Sequence, residues 1–198
     1  MDISVIEKPD SITFDEIHEV LWKANEENRK KGFLLKTSVL DADKLKDRLG
    51  DKGKCFIAVD NGRVVGTISV RIVKRNKWYF KGELPDYMLA AVLPEYQGKH
   101  INSLLAQKVF EYAIENGYEA VELDTAEENT HAIDVYKHQG FKLVDFLSKT
   151  GVDHYSVVMI KWFDRNPCSD HYRVLRYLIK RAYIKFRYKE NKKKRFGI

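Results

Sequence analysis

Apolar residues recur along this chain at two spacings, and the change from one to the other marks out its elements. Residues 2–7 form a first strand. Phe14, Ile17, Val20, Leu21 and Ala24 then repeat at three- and four-residue intervals, the stripe of a helix. Thr13-Phe-Asp-Glu16 opens it as a capping box, and it is expected to run out near Lys31-Gly32. After a loop over 33–40, residues 41–49 form a short helix that Asp41 caps and Gly50 stops. Strands at 55–59 and 63–73 are joined by Asp60-Asn-Gly62, a hairpin turn. Residues 88–93 are apolar without alternation, the pattern of a strand covered on both faces. An amphipathic helix over 103–114 ends at Asn116-Gly117. Then come a strand at 120–125, a helix at 129–138 and a hairpin of 141–148 with 155–163, turned by 149–153. This order predicts an α/β fold in which a mixed sheet carries helices on both faces.

Composition changes the picture chiefly at the C-terminus. The chain has 198 residues, 44% hydrophobic and 32% charged, as expected of one ordinary soluble domain with an appendage. The formal net charge of +6 is unevenly placed. Residues 165–198 hold 12 Lys/Arg and 2 Asp/Glu, a net +10, and the remainder is −4. The expected division is therefore a domain over 1–164 and a basic, helical extension over 165–198. In that extension Val174, Leu175, Leu178, Ala182 and Phe186 recur at helical spacing among arginines and lysines, and Tyr177, Ile179, Tyr183 and Tyr188 widen the apolar face. Its expected role is to pack this stripe on the domain or on a second copy of the chain. Anionic membrane surfaces and nucleic acid are further candidate partners. Cys55 and Cys168 define no disulfide framework, and Cys55 reads as a small core residue. The N-terminus has no basic stretch followed by a long apolar run, and no apolar segment reaches membrane-spanning length, so the cytoplasm is the default location.

The chemistry concentrates after the fully apolar strand. Pro94-Glu-Tyr is followed by Gln97-Gly98-Lys99-His100-Ile101-Asn102-Ser103, where the helix begins. Strand, glycine-containing loop and helix start form the geometry that holds a phosphate, because the first helical turn presents free N–H donors and a partial positive charge. The stretch 92–105 resembles the acetyl-CoA pyrophosphate loop of the GNAT N-acetyltransferase superfamily. Asn129-Thr-His-Ala-Ile-Asp-Val-Tyr136 followed by Gly140-Phe141 resembles that family's second motif. The two occur in order with a strand between them, and the resemblance covers roughly residues 1–163. It implies the GNAT fold, acetyl-CoA as co-substrate and an amine acceptor, either a small molecule or a peptide. The family's two helix-start glycines fall on His100 and Asn102, a departure that bears on cofactor affinity.

Residue by residue, the resemblance implies that the backbone of Ala90, Ala91 and Val92 pairs with the pantetheine arm. Gln97 through Ser103 would hold the pyrophosphate, Asn129 would contact the arm, and Tyr136 would sit near the sulfur as general acid. Asp124 and Glu122 share one face of their strand and are the candidate general bases; Asp124 stands five residues before Asn129, where the resemblance implies a glutamate base in one branch of the family, and as a shorter carboxylate it would act through water. Both also suit rim charges. Trp78, Tyr79, Phe80 and Tyr87 flank an irregular segment and either line an acceptor pocket or seal the sheet edge. Histidine and cysteine spacing implies no metal site. Two rivals stand beside an acetyltransferase: a GNAT-like module that binds an acyl-CoA without turnover, and a membrane- or nucleic-acid-binding protein acting through the tail.

Overall fold

The computed structural model describes residues 2–30, 40–148, 154–164 and 168–196. Seven strands run in the sheet order β1-β2-β3-β4-β5-β7-β6, with helices between them. By contacts the chain divides into two compact units, one of residues 1–75 and 82–121, the other of 76–81 and 122–198.

In the first unit β1 (Ile3–Glu7) lies antiparallel to β2 (Lys54–Asp60), and β2 antiparallel to β3 (Arg63–Asn76). Asn61 and Gly62 both take positive φ, 49° and 80°, as a two-residue hairpin turn of this hand requires. Helix α1 (Phe14–Ala24) starts at the expected capping box: the Glu16 N–H donates to Thr13 Oγ1 and the Thr13 N–H to Glu16 Oε2. It buries Ile17, Val20 and Leu21 and packs on α3 (Ala42–Leu49), where Asp41 Oδ1 caps the Lys44 N–H at 2.9 Å. The expected longer first helix is interrupted at Asn25, whose side chain donates back to the Leu21 carbonyl, and resumes as α2 (Glu26–Lys30). The loop expected over 33–40 lies, except for Leu40, outside the described residues.

Strand β4 (Lys81–Val92) starts seven residues earlier than its apolar run, so the irregular segment shrinks to the turn at 77–80. Turn-forming Gly82 and Pro85 are drawn into the strand because Leu84 through Tyr87 are buried there; tertiary burial overrides local preference. Helix α4 (Ile101–Glu115) follows a short 3₁₀ turn (Pro94–Tyr96). Ile101, Leu105, Ala106, Val109 and Ala113 face the core. Gly66 on β3 lets α4 approach closely: a Cβ there would lie 3.1 Å from Leu105 Cδ1 and 3.3 Å from Ile101 Cγ2.

Strand β5 (Ala120–Ala126) leads into the second unit, with α5 (Thr130–His138), β6 (Lys142–Ser148), β7 (Tyr155–Trp162) and α6 (Asp170–Phe196). β6 and β7 pair antiparallel around an irregularity between Leu143 and Asp145. Their turn at 149–153 lies outside the described residues. The basic extension is the helix α6, and it packs on β6, but not by the stripe its sequence suggests. Arg173 and Tyr177 are buried against β6, whereas Val174, Leu178 and Phe186 are exposed. The inward face is chosen by charge. Arg173 donates to the Leu143 carbonyl, Lys180 pairs with buried Asp145 at 2.5 Å, and Arg181 and Lys185 converge on Glu127. Asp145 is buried and Glu127 half-buried, and leaving either carboxylate without its cations would be costly.

Candidate functional site

In the first unit the candidate residues gather at the start of α4. Gly98 and His100 both have left-handed backbone, φ 75° and 61°. The Ser103 and Leu104 N–H groups donate to the His100 carbonyl at 2.9 and 3.1 Å. Among the described residues, the N–H groups of Gly98, Lys99, His100, Ile101 and Asn102 have no acceptor. Five consecutive donors at a helix N-terminus, in a loop with left-handed residues, form a nest for an anion. This donor set fits a pyrophosphate, and the side chain of His100 leaves it open, because the ring is exposed and caps nothing. Asn102 lies inside the helix, where no glycine is needed.

Neighbouring side chains hold the loop in place. Gln97 Nε2 donates to the Val92 carbonyl at 3.2 Å and ties the loop back to its strand. Tyr96 Oη donates to Asp60 Oδ2 at 3.0 Å, a bond that raises the phenol's pKa, and Arg63 pairs with Glu95 at 3.1 Å. Lys99 curls back to the Glu95 carbonyl at 2.8 Å. Ser103 is exposed one turn into the helix, and Ile101 is buried. Of the predicted residues 97–103, therefore, Gln97 shapes the loop, Ile101 anchors the helix, and the rest present backbone and polar groups to solvent.

On β4, Ala90 is half-buried and Ala91 and Val92 are buried. Leu89 before them has φ 54°, an outlier for a bulky residue in a strand. It stands immediately before the predicted cofactor-pairing segment. The sequence carries no mark of it, since a glycine there would have been the usual signal.

A further group of predicted residues lies in the second unit. Asn129 is the N-cap of α5: its Oδ1 accepts the Ala132 N–H at 3.4 Å, and its amide NH₂ takes no part in the cap. At the other end the Gly140 N–H donates to the Lys137 carbonyl and the Phe141 N–H to the Tyr136 carbonyl, each at 3.0 Å, with Gly140 at φ 93°. This is a Schellman cap, and its customary apolar contact is the edge-on packing of Phe141 against Tyr136, 6.0 Å between centroids. The Gly-Phe pair thus fixes the orientation of the tyrosine. Burial, reinforced by the charge of Asp124, pushes the Tyr136 phenol up to about 12.

The two carboxylates of β5 separate by depth. Glu122 is buried, and Tyr79, also buried, donates its hydroxyl to Glu122 Oε2 at 2.8 Å. Asp124 is exposed and close enough to Tyr136 to be felt electrostatically. Trp78 stacks edge-on with both Tyr79 and Tyr172, so these aromatics knit the second unit together; Tyr87 is buried in β4. Cys55 is buried, which pushes its thiol up and away from nucleophilic use. No group of three or more His, Cys, Asp or Glu side chains among the described residues is arranged to hold a metal.

Comparisons with known proteins follow this geometry. The family described as Acetyltransferase (GNAT) matches residues 14–141. Human N-acetylaspartate synthetase is 30% identical over 104 residues, 52% of this chain and 31% of that protein, so the chain spans under a third of this curated relative. The ribosomal-protein-S18-alanine N-acetyltransferase of Escherichia coli superposes with a TM-score of 0.63 at 13% identity, over 85% of this chain and 99% of that one. A GNAT family acetyltransferase from Elizabethkingia anophelis with acetyl-CoA bound gives 0.58 at 15% identity, over 81% and 98%. At such identities the structural likeness speaks to the fold, which is the one the motifs imply.

Proposed function

The chain belongs to the GNAT acetyltransferase family, and from that premise we propose that this acyltransferase moves an acetyl group from acetyl-CoA to a primary amine by direct attack within a ternary complex. The observation that carries the cofactor assignment is the run of five unengaged N–H donors at 98–102. Bound acetyl-CoA would supply the activated thioester; the residues of this chain supply binding, orientation and proton management. Gly98 through Asn102 hold the pyrophosphate, Ala90 to Val92 offer strand backbone to the arm, and the Asn129 amide offers a donor. Holding both reactants together accounts for much of the rate, since effective molarities reach about 10⁵–10⁸ M in well-oriented reactions.

An alkylamine is protonated at neutral pH and must lose a proton before attack. We assign that proton to Asp124, through water, because its carboxylate is open to solvent whereas Glu122 is buried and engaged by Tyr79. Tyr136 stays protonated throughout the working pH range and faces the charge on the departing sulfur. With a pKa near 12 it acts first as a hydrogen-bond donor to that charge, and completes the proton transfer only as the bond breaks.

The names of the relatives, N-acetylaspartate synthetase and ribosomal-protein-S18-alanine N-acetyltransferase, set the acceptor panel: free amino acids and peptide N-termini, with polyamines and amino sugars beside them. The test is thiol release from acetyl-CoA against this panel, with mass spectrometry of the acceptor. Release that requires an amine and yields the acetylated product is expected. Binding of CoA without turnover on any amine would contradict transfer.

A further inference from the structure

The outward face of α6 is apolar and uncovered among the described residues. Leu175, Leu178, Ile179, Tyr183 and Phe186 are each at least half exposed. At 100° per residue they fall in one arc opposite Arg173 and Tyr177, the residues packed on β6. Arg176, Lys180 and Arg187 line one margin of that arc. Along that margin runs a groove of about 520 Å³, bordered by Trp78, Arg176, Ile179, Tyr183 and the Lys180–Asp145 pair, which among the described residues leaves Arg176 as its unneutralised cation. Arg187 has no carboxylate partner among the described residues. Residues 189–195 add five further cations against one Glu.

Charge selects the occupant. Apposing two copies of this face would bring together two sets of like charges, Arg176, Arg187 and the cations of 189–195, that Asp145 and Glu127 do not pair. A nucleic acid would meet the cations but leave the leucines and isoleucine in water. An apolar arc edged by Arg, Lys and Tyr matches the boundary between acyl chains and negatively charged headgroups. No described helix is long and apolar enough to cross a membrane, so this one would lie along the surface. We propose that α6 docks the protein on anionic phospholipid surfaces, with its apolar arc at the acyl–headgroup boundary and its cations among the headgroups. This inference stands apart from the acetyl-transfer reading, which uses no residue of that arc.

The experiment is co-sedimentation of the full chain with vesicles of phosphatidylcholine alone and of phosphatidylcholine mixed equally with phosphatidylserine. Binding is expected only to the mixed vesicles, and high salt should weaken it. Leu175→Glu with Ile179→Glu should lower partitioning by roughly tenfold or more while leaving the melting temperature unchanged, because both sites are exposed. Replacing Lys192, Lys193 and Lys194 with serine should cost about fivefold per charge and provides a second variant that leaves the apolar residues of the arc unchanged. Equal binding to both vesicle types, no binding, or undiminished binding by these variants would overturn the proposal. So would a lipid-free dimer that the double glutamate variant dissolves, which would assign the face to a second copy.

Discussion

His100 carries a left-handed backbone that a Cβ disfavours by about 1–2 kcal/mol, whereas glycine adopts it freely at a smaller entropic cost. His100→Gly should therefore raise stability by up to about 1 kcal/mol, a few degrees in melting temperature for a chain of this size. It should also leave CoA affinity intact, because the backbone N–H remains. A lower melting temperature in a thermal melt would mean that the imidazole makes a stabilising contact. Tyr136 makes the complementary prediction. Tyr136→Phe keeps the ring packed on Phe141 but removes the donor, so kcat should fall by about 10²-fold with little change in KM. Steady-state kinetics with an unchanged kcat would reduce Tyr136 to packing. With its pKa raised to about 12, ionisation of this phenol should not shape the pH–rate profile below that range. Both positions are readable in the sequence because motif spacing marks them. Leu89 is not, since a bulky residue gives no local sign of positive φ, and neither is the bond from Tyr79 to Glu122, which joins residues 43 apart.

Elements whose ends are set locally are the ones the sequence announces. Thr13 and Glu16 open α1, Asp41 opens α3, Asn129 opens α5 and Gly140 closes it, each by bonds within a few residues. Helix α6 was legible as a helix but not in its orientation, because Asp145 and Glu127, which turn its basic face inward, come from distant strands and loops. That docking should depend on pH. Burial tends to push the Glu127 carboxyl up, but hydrogen bonds and charges from Lys185 and Arg181 outweigh it and hold the group below its ordinary value of 4.5. A lowered folded-state pKa gives stability that is full above the unfolded value and disappears as pH falls through the folded one. Protection factors over residues 170–188, which correct for the intrinsic slowing of amide exchange in acid, should accordingly fall on acidification below about pH 4.5. Glu127→Gln should lower them at neutral pH and blunt the acid response. Protection insensitive to both would show that Tyr177 and its apolar neighbours hold α6 without the ion pairs.

For the whole molecule, two motifs in order, with strands and helices alternating between them, made the sheet and its helices legible. The extension of β4 through Gly82 and Pro85 was hidden because burial there is decided by partners far along the chain. The central claim is that residues 98–102 hold the pyrophosphate of acetyl-CoA by their backbone. Ligand bound only to the native state stabilises it, by about 2.7 kcal/mol at a hundredfold excess over Kd, but that gain does not say where the ligand sits. An amide-resolved NMR titration with CoA does. The N–H signals of Gly98, Lys99, His100, Ile101 and Asn102 should move downfield together and gain protection from exchange as the site fills. Saturable binding that leaves these five amides unmoved and shifts others instead would contradict the account.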